Sequence, residues 1–217
     1  MLRLRWEEEE EEEEEVDQYP WSVTFALSTM SDTPVFIDMQ GFIVNGQFTV
    51  KEFAMLRNER ELIHYIFRPP ISWNLLTANE KSQACWLTAN HHGLQWKDGD
   101  VEYAVAKTLI RNAVSDEAIA RVYIKGVEKK RWLIEIIGSA PHMTVTNIDA
   151  DYDDIGPLQR LSTVRTLRCG RHTNICSMEN VLKLYNWWCE RRDTLRNIQP
   201  TTSDTPTTED TQEKEWP

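Results

Sequence analysis

The stretch Thr33–Pro70, TPVFIDMQGFIVNGQFTVKEFAMLRNERELIHYIFRPP, decides the fold. Apolar and β-branched residues recur in runs around Val35–Ile37, Phe48–Leu56 and Leu62–Phe67. Asn45-Gly46 and the charged turn Asn58–Arg60 separate these runs, and Pro69-Pro70 stops the last one. Runs of this composition bounded by turn residues and prolines predict three adjacent strands, an antiparallel meander.

Downstream the period changes. SWNLLTANEKSQACWLTANHHGLQW carries Leu75, Leu76, Trp86 and Leu87 at helical spacing. In VEYAVAKTLIRNAV, Val101, Ala104, Val105 and Thr108 fall on one helical face. ARVYIKG then predicts a short buried strand, VEKKRWLIEIIG a helix closed by Gly138, MTVTNIDADY another strand and GPLQRLS a helical turn. The last helix starts near Ser177, a good N-cap, with Val181, Leu184, Tyr185 and Trp188 on one stripe. The order β-β-β-α-α-β-α-β-α suits an α/β mixed sheet with helices on both faces. It is also the order of ribonuclease H-like folds.

The chain has 217 residues, enough for one globular domain and a sizeable core, and a formal charge of -11. That acidity belongs to the ends: the run Glu7–Glu15 and the Thr-, Pro- and acid-rich tail QPTTSDTPTTEDTQEKEWP. Between residues 16 and 198, acidic and basic side chains are equal in number. Like charges with no apolar face to bury predict disorder in both tails, residues 1–20 and 199–217, around a single domain at 21–198. No apolar run is long enough to span a bilayer, and MLRLRWEEEE lacks the apolar stretch of a signal peptide. The sequence therefore predicts no membrane partner and an intracellular, cytoplasmic protein, whose four cysteines are thiols or metal ligands rather than disulfides.

The densest chemistry lies in TLRCGRHTNICSMENVLKLYNWW, Thr166–Trp188. Cys169 and His172 stand at the two-residue spacing that lets one turn present two soft ligands, and His172 and Cys176 are one helical turn apart. A metal ion is one reading; a Cys-His nucleophile would compete for the same atoms, and no oxyanion donor or orienting acid accompanies it. A tetrahedral zinc needs a fourth ligand. Cys189 is too far along the last helix if that helix is continuous. Glu52, flanked by apolar residues in the second predicted strand, is the other candidate, because a carboxylate there is costly unless paired or metal-bound. The alternative for Glu52 is the polar face of an alternating strand.

Around this motif Arg160, Arg165, Arg168, Arg171, Lys183, Arg191, Arg192 and Arg196 outnumber Glu179, Glu190 and Asp193. Such an excess attracts phosphates, or is simply the solvated basic end of a helix. Other constellations are weak. NIDADYDD lacks the glycine and terminal glutamate of a calcium loop, His91-His92 precede a turn, and no phosphate-binding glycine loop or Gly-x-Ser-x-Gly is present, so no small-molecule cofactor is expected. Exonucleases of the ribonuclease H-like class open with Asp-x-Glu, whereas this chain has Asp38-Met39-Gln40. A neutral amide does not supply the charge that helps hold two divalent cations.

The segment FTVKEFAMLRNERELIHYIFRPP, followed by an α/β body, Cys-x-x-His and CSMENVLKLYNWW, resembles the Maelstrom domain, a ribonuclease H-like (DnaQ exonuclease-like) domain of animal small-RNA silencing factors. The resemblance spans roughly residues 33–196. It implies that Glu52, Cys169, His172 and Cys176 form a Glu-Cys-His-Cys set for a structural Zn2+. It further implies a role in Piwi-interacting RNA (piRNA) silencing of transposons, in the cytoplasm, germline granules or nucleus, with single-stranded RNA and silencing-pathway proteins as partners. RNA would then meet Arg165, Arg168, Arg171, Lys183, Arg191 and Arg192, with Trp187 as an exposed stacking ring and Trp188 packed. The spacer Thr173–Ile175 is shorter than is usual in that family, and its HMG box has no counterpart here. Three functions stay open: a zinc-stabilised binding domain without the exonuclease carboxylates, a working RNA nuclease, and a transposon-related protein-interaction domain.

Overall fold

The computed structural model describes residues 2–5, 34–115, 120–138 and 143–198. The Glu7–Glu15 run and the tail from residue 199 lie outside the described residues. Three long strands, β2 (Pro34–Val44), β3 (Gln47–Arg57) and β4 (Glu61–Ile66), form the antiparallel meander that the sequence predicts. Strands β5 (Ala120–Ile124) and β6 (Met143–Asn147) add in parallel beyond β2. These make a five-stranded mixed sheet, and Leu2–Arg5 form a short outer strand, β1, antiparallel to β4, for a sheet order of β1-β4-β3-β2-β5-β6. The expectation of a structureless segment at 1–20 is corrected at Leu2–Arg5, where the Leu-Arg alternation has the period of a strand.

The two faces of the sheet are both apolar, and both are covered. Val35, Ile37 and Met39 of β2, with Phe53 and Met55 of β3, pack against α2 (Ala106–Val114) and α3 (Val127–Ile137) through Ile110 and Leu133. Phe36, Ala54, Leu56 and Leu62 face the other way and meet Cys176, Val181 and Leu184 of the α5 region, where α5 runs Ser177–Ile198. Strands buried on both sides read as near-continuous apolar runs, as Val35–Ile37 of β2 and Phe53–Leu56 of β3 do. The polar residues that do occur on the α5 face, Asp38, Gln40, Glu52 and His64, are buried and carry the chemistry described below.

Local differences from the sequence expectations have physical causes. Helix α1 is Ala78–Asn90, preceded by a tight turn at Trp73–Leu75 and opened by a capping box in which Thr77 and Glu80 satisfy each other's backbone N–H. That cap was legible as Thr-x-x-Glu. The face of α1 is also not the expected one: Ala84 is buried and Leu87 half-buried, while Trp86 is 60% exposed and Leu75 stands in solvent. Helix α2 starts at Ala106, later than expected, because Val101 is tied to Phe67 at the end of β4; the buried stripe is Ala106, Ile110, Ala113 and Val114. MTVTNIDADY is strand only to Asn147, after which Ile148–Asp151 form the single helical turn α4. Thr77→Ala removes one arm of the capping box and is expected to cost about 1 kcal/mol, or about 2–4 °C in a thermal melt followed by circular dichroism.

Candidate metal centre

Glu52 lies in the middle of β3 and is fully buried. Its side chain reaches the start of α5, where Oε2 accepts the Ser177 backbone N–H at 2.9 Å. Ser177 is the first residue of α5, not its N-cap, so this N–H is one of the donors that a helix N-terminus leaves open, at the positive end of the helix dipole. A buried carboxylate at this point completes the helix end.

Three further donors arrive from the segment before α5. Gly170, with φ at 72°, turns the chain after Cys169 so that the Arg171 N–H points at the Cys169 sulfur, 3.5 Å away. His172 is buried, and its Nδ1 lies 2.6 Å from the His92 carbonyl. A carbonyl only accepts, so Nδ1 carries a proton, and Nε2 faces inward, 3.1 Å from Glu52 Oε1; in the metal-free chain Nε2 donates to that oxygen, and a metal would take the place of its proton. Cys176 Sγ is 3.6 Å from the same oxygen. The ligand atoms of Glu52, Cys169, His172 and Cys176 all lie within 4.8 Å of one another, although Glu52 and His172 are 120 positions apart in the chain. One carboxylate, one imidazole and two thiols converging on a single point form a group that could bind a metal ion.

The surrounding loop is held from several sides. Arg168 donates to Glu179 at 2.5 Å and to the carbonyls of His172, Thr173 and Asn174, and the Ile175 N–H donates to the His91 carbonyl. The His92 ring is buried, which holds its pKa down at about 4, and its Nδ1 accepts the Leu94 N–H. On the sheet side, His64 of β4 lies 2.9 Å from Glu52 Oε1.

Before any metal enters, the group titrates as a unit. Burial opposes charge on Glu52, but hydrogen bonds from His172 and His64 outweigh it and hold the carboxyl below its usual range. Burial likewise opposes charge on His172, yet its contacts with Cys176 and Glu52 lift it to about 10. The Cys176 thiol, which donates to Cys169 and is itself buried, is pushed well up, while Cys169, accepting from Cys176, drops to about 7. At neutral pH a metal displaces protons from His172 and Cys176, and below about pH 7 from Cys169 as well. Affinity is therefore expected to fall about 100-fold per pH unit from about pH 9 to 7, and more steeply below, in a chelator competition run across that range.

The basic residues expected to meet RNA behave differently. Arg168 and Lys183 come together, but around Glu179, which accepts from both. Arg171 pairs with Asp100 at 2.9 Å and Arg191 with Asp154 at 3.2 Å. The Arg192 guanidinium lies 4.6 Å over the Trp188 ring, and Arg165 is exposed. Asp100 and Asp154, distant in sequence, thus fold back onto two of the six. Trp187 and Trp188 are both half-buried, Trp187 edge-on to Tyr152 at 5.2 Å and Trp188 against Phe36 at 6.0 Å.

Asp38, the acid of the Asp38-Met39-Gln40 triplet, is fully buried within β2. One carboxylate oxygen accepts from Gln40 Nε2 at 3.1 Å and Asn180 Nδ2 at 2.7 Å, and the other accepts from the Lys129 ammonium. Sequence reasoning missed Lys129 and His64. His64 did leave a signal, a lone imidazole in the otherwise apolar run LIHYI, which marks a buried polar group in need of a partner.

Fold and site together define an α/β domain with a mixed sheet flanked by helices and a buried four-ligand group able to hold a metal. Compared with protein-family models and with curated proteins, the chain matches none.

Proposed function

We propose that this chain is a zinc-stabilised ribonuclease H-like domain of the Maelstrom type, which binds single-stranded RNA in small-RNA silencing of transposons. The observation that carries the reading is the convergence of Glu52, Cys169, His172 and Cys176 on one point, since these four residues are the set that the resemblance implies. Two thiolates with an imidazole and a carboxylate suit zinc, and a site of four protein ligands suits a structural ion rather than one with an open position for substrate.

A binding role is favoured over two-metal phosphodiester cleavage by what surrounds the sheet carboxylate. Asp38 is bonded to Lys129, Asn180 and Gln40, so its charge is already met by an ammonium rather than left open for a divalent cation. Glu179 of α5 is likewise engaged by Arg168 and Lys183. The groups left for RNA are the exposed Arg165 and the Arg192–Trp188 stack, a cation on an aromatic face of the kind that meets unpaired bases.

The test is anisotropy of a labelled single-stranded RNA titrated with the full chain, with and without Mg2+, alongside gel analysis of the same RNA. Saturable binding that weakens with salt, is indifferent to Mg2+ and leaves the RNA intact is the expected result. Cleavage that requires Mg2+ or Mn2+ and disappears in Asp38→Asn would replace the binding reading with a nuclease. No binding at low salt would leave silencing-pathway proteins as the partners.

A further inference from the structure

Glu52 is the one metal-site residue contributed by the sheet, and its orientation is set by a residue outside the four-ligand group. We infer that His64 is a positioning residue of the metal centre: its Nε2–H fixes the Glu52 carboxylate and keeps the site closed at four protein ligands. The inference deepens the metal-binding reading above and rests on it.

The placement follows from strand register. In the β3–β4 pair, Ala54 stands opposite His64 and Glu52 opposite Ile66, so Glu52, Ala54 and His64 share the face that looks toward α5. His64 therefore reaches Glu52 diagonally across the strand pair. The contact is 2.9 Å between two buried groups, with His64 6% exposed and Glu52 0%. No loop intervenes, so two paired strands fix this geometry.

The hydrogen-bond inventory then limits what each atom can do. A carboxylate only accepts, so His64 Nε2 must carry its proton toward Oε1, and that nitrogen has no lone pair left for a metal. Oε2 is taken by the Ser177 N–H. With one donor from the sheet and one from the helix, the carboxylate plane is fixed, and a remaining lone pair of Oε1 faces His172 Nε2 and Cys176 Sγ. The metal is thus offered one oxygen, one nitrogen and two sulfurs. An outer partner that holds a ligand in this way commonly contributes about 10–100-fold in metal affinity.

Two substitutions separate positioning from bulk. His64→Leu keeps an apolar filling but removes the donor, and His64→Gln restores an N–H near the position of Nε2. Zinc affinity of the full chain is measured by competition with a chromogenic chelator, and coordination by the visible spectrum of the cobalt(II)-substituted protein. Expected are one zinc per chain in the unsubstituted protein, about 10–100-fold weaker binding in His64→Leu, near-complete recovery in His64→Gln, and an intense tetrahedral cobalt spectrum in the unsubstituted chain and in His64→Gln. Zinc binding by His64→Leu equal to that of the unsubstituted chain overturns the positioning role alone. A chain that binds no zinc with either residue at 64 overturns the metal reading itself. Should His64→Leu not fold, the ring 15N pattern of His64 in the unsubstituted, zinc-loaded chain decides: a proton on Nε2 supports the inference, and a proton on Nδ1 alone overturns it.

Discussion

Stripping the metal from the zinc-loaded domain with a chelator is expected to lower its thermal midpoint by about 8–16 °C. At a free metal concentration about a thousandfold above Kd, binding to the folded state alone adds about 4.1 kcal/mol. In a chain of this size each kcal/mol moves the midpoint by about 2–4 °C. The structure says where that energy acts. Glu52 belongs to β3, Cys169 and His172 to the loop, and Cys176 directly precedes α5, so an ion held by all four would join sheet, loop and helix. Without the ion, a charged carboxylate stays buried, with His64, His172 and the Ser177 N–H as its partners. Glu52→Gln preserves shape and an acceptor oxygen but removes the anionic ligand, so this variant is expected to gain little from added zinc and to melt near the stripped protein. Equal midpoints with and without metal, in a chain that retains zinc on a desalting column, would mean that the ion sits elsewhere.

The loop side of this centre, Cys169 to Cys176, was legible because its parts are local. Cys169, Gly170 and His172 read as a turn from spacing alone, and the apolar flanks of Glu52 mark a carboxylate in need of compensation. The meander was equally legible, since β2, β3 and β4 are long apolar runs separated by Asn-Gly and a charged turn. What the sequence concealed depends on long-range pairing. That Arg171 meets Asp100 and Arg191 meets Asp154 follows only once the loops are packed, so a count of charges along the chain did not show which cations carry a partner. The exposure of Trp86 was hidden for a related reason: α1 has its apolar residues on more than one side, and only its packing against β2 selects Ala84 as the inward one.

Lys129 is the most consequential of the hidden residues, and it carries the second large prediction. Asp38→Ala is expected to destabilise the domain by about 3 kcal/mol, because removing one partner of a buried charge pair leaves the other uncompensated. Lys129 retains some access to solvent, its side chain being 20% exposed, which places the loss at the low end for such pairs. Asn180 and Gln40, both buried, lose their acceptor as well, and Asn180 is one of the points at which α5 is fastened to the sheet. Thermal melts should therefore show a drop of about 6–12 °C. Asp38→Asn keeps the volume and one acceptor oxygen and is expected to lose about half as much, which makes it the variant suited to activity assays. The pairing itself is isolated by a double-mutant cycle: Lys129→Met in the Asp38→Asn background should recover part of the loss, since the unpaired ammonium is then gone. If Asp38→Ala instead melts like the unsubstituted chain and Mg2+ raises the midpoint of the unsubstituted chain alone, Asp38 is a metal ligand after all. The ammonium contact would then have to yield to a divalent cation, and the case for a domain without exonuclease chemistry would fall with it.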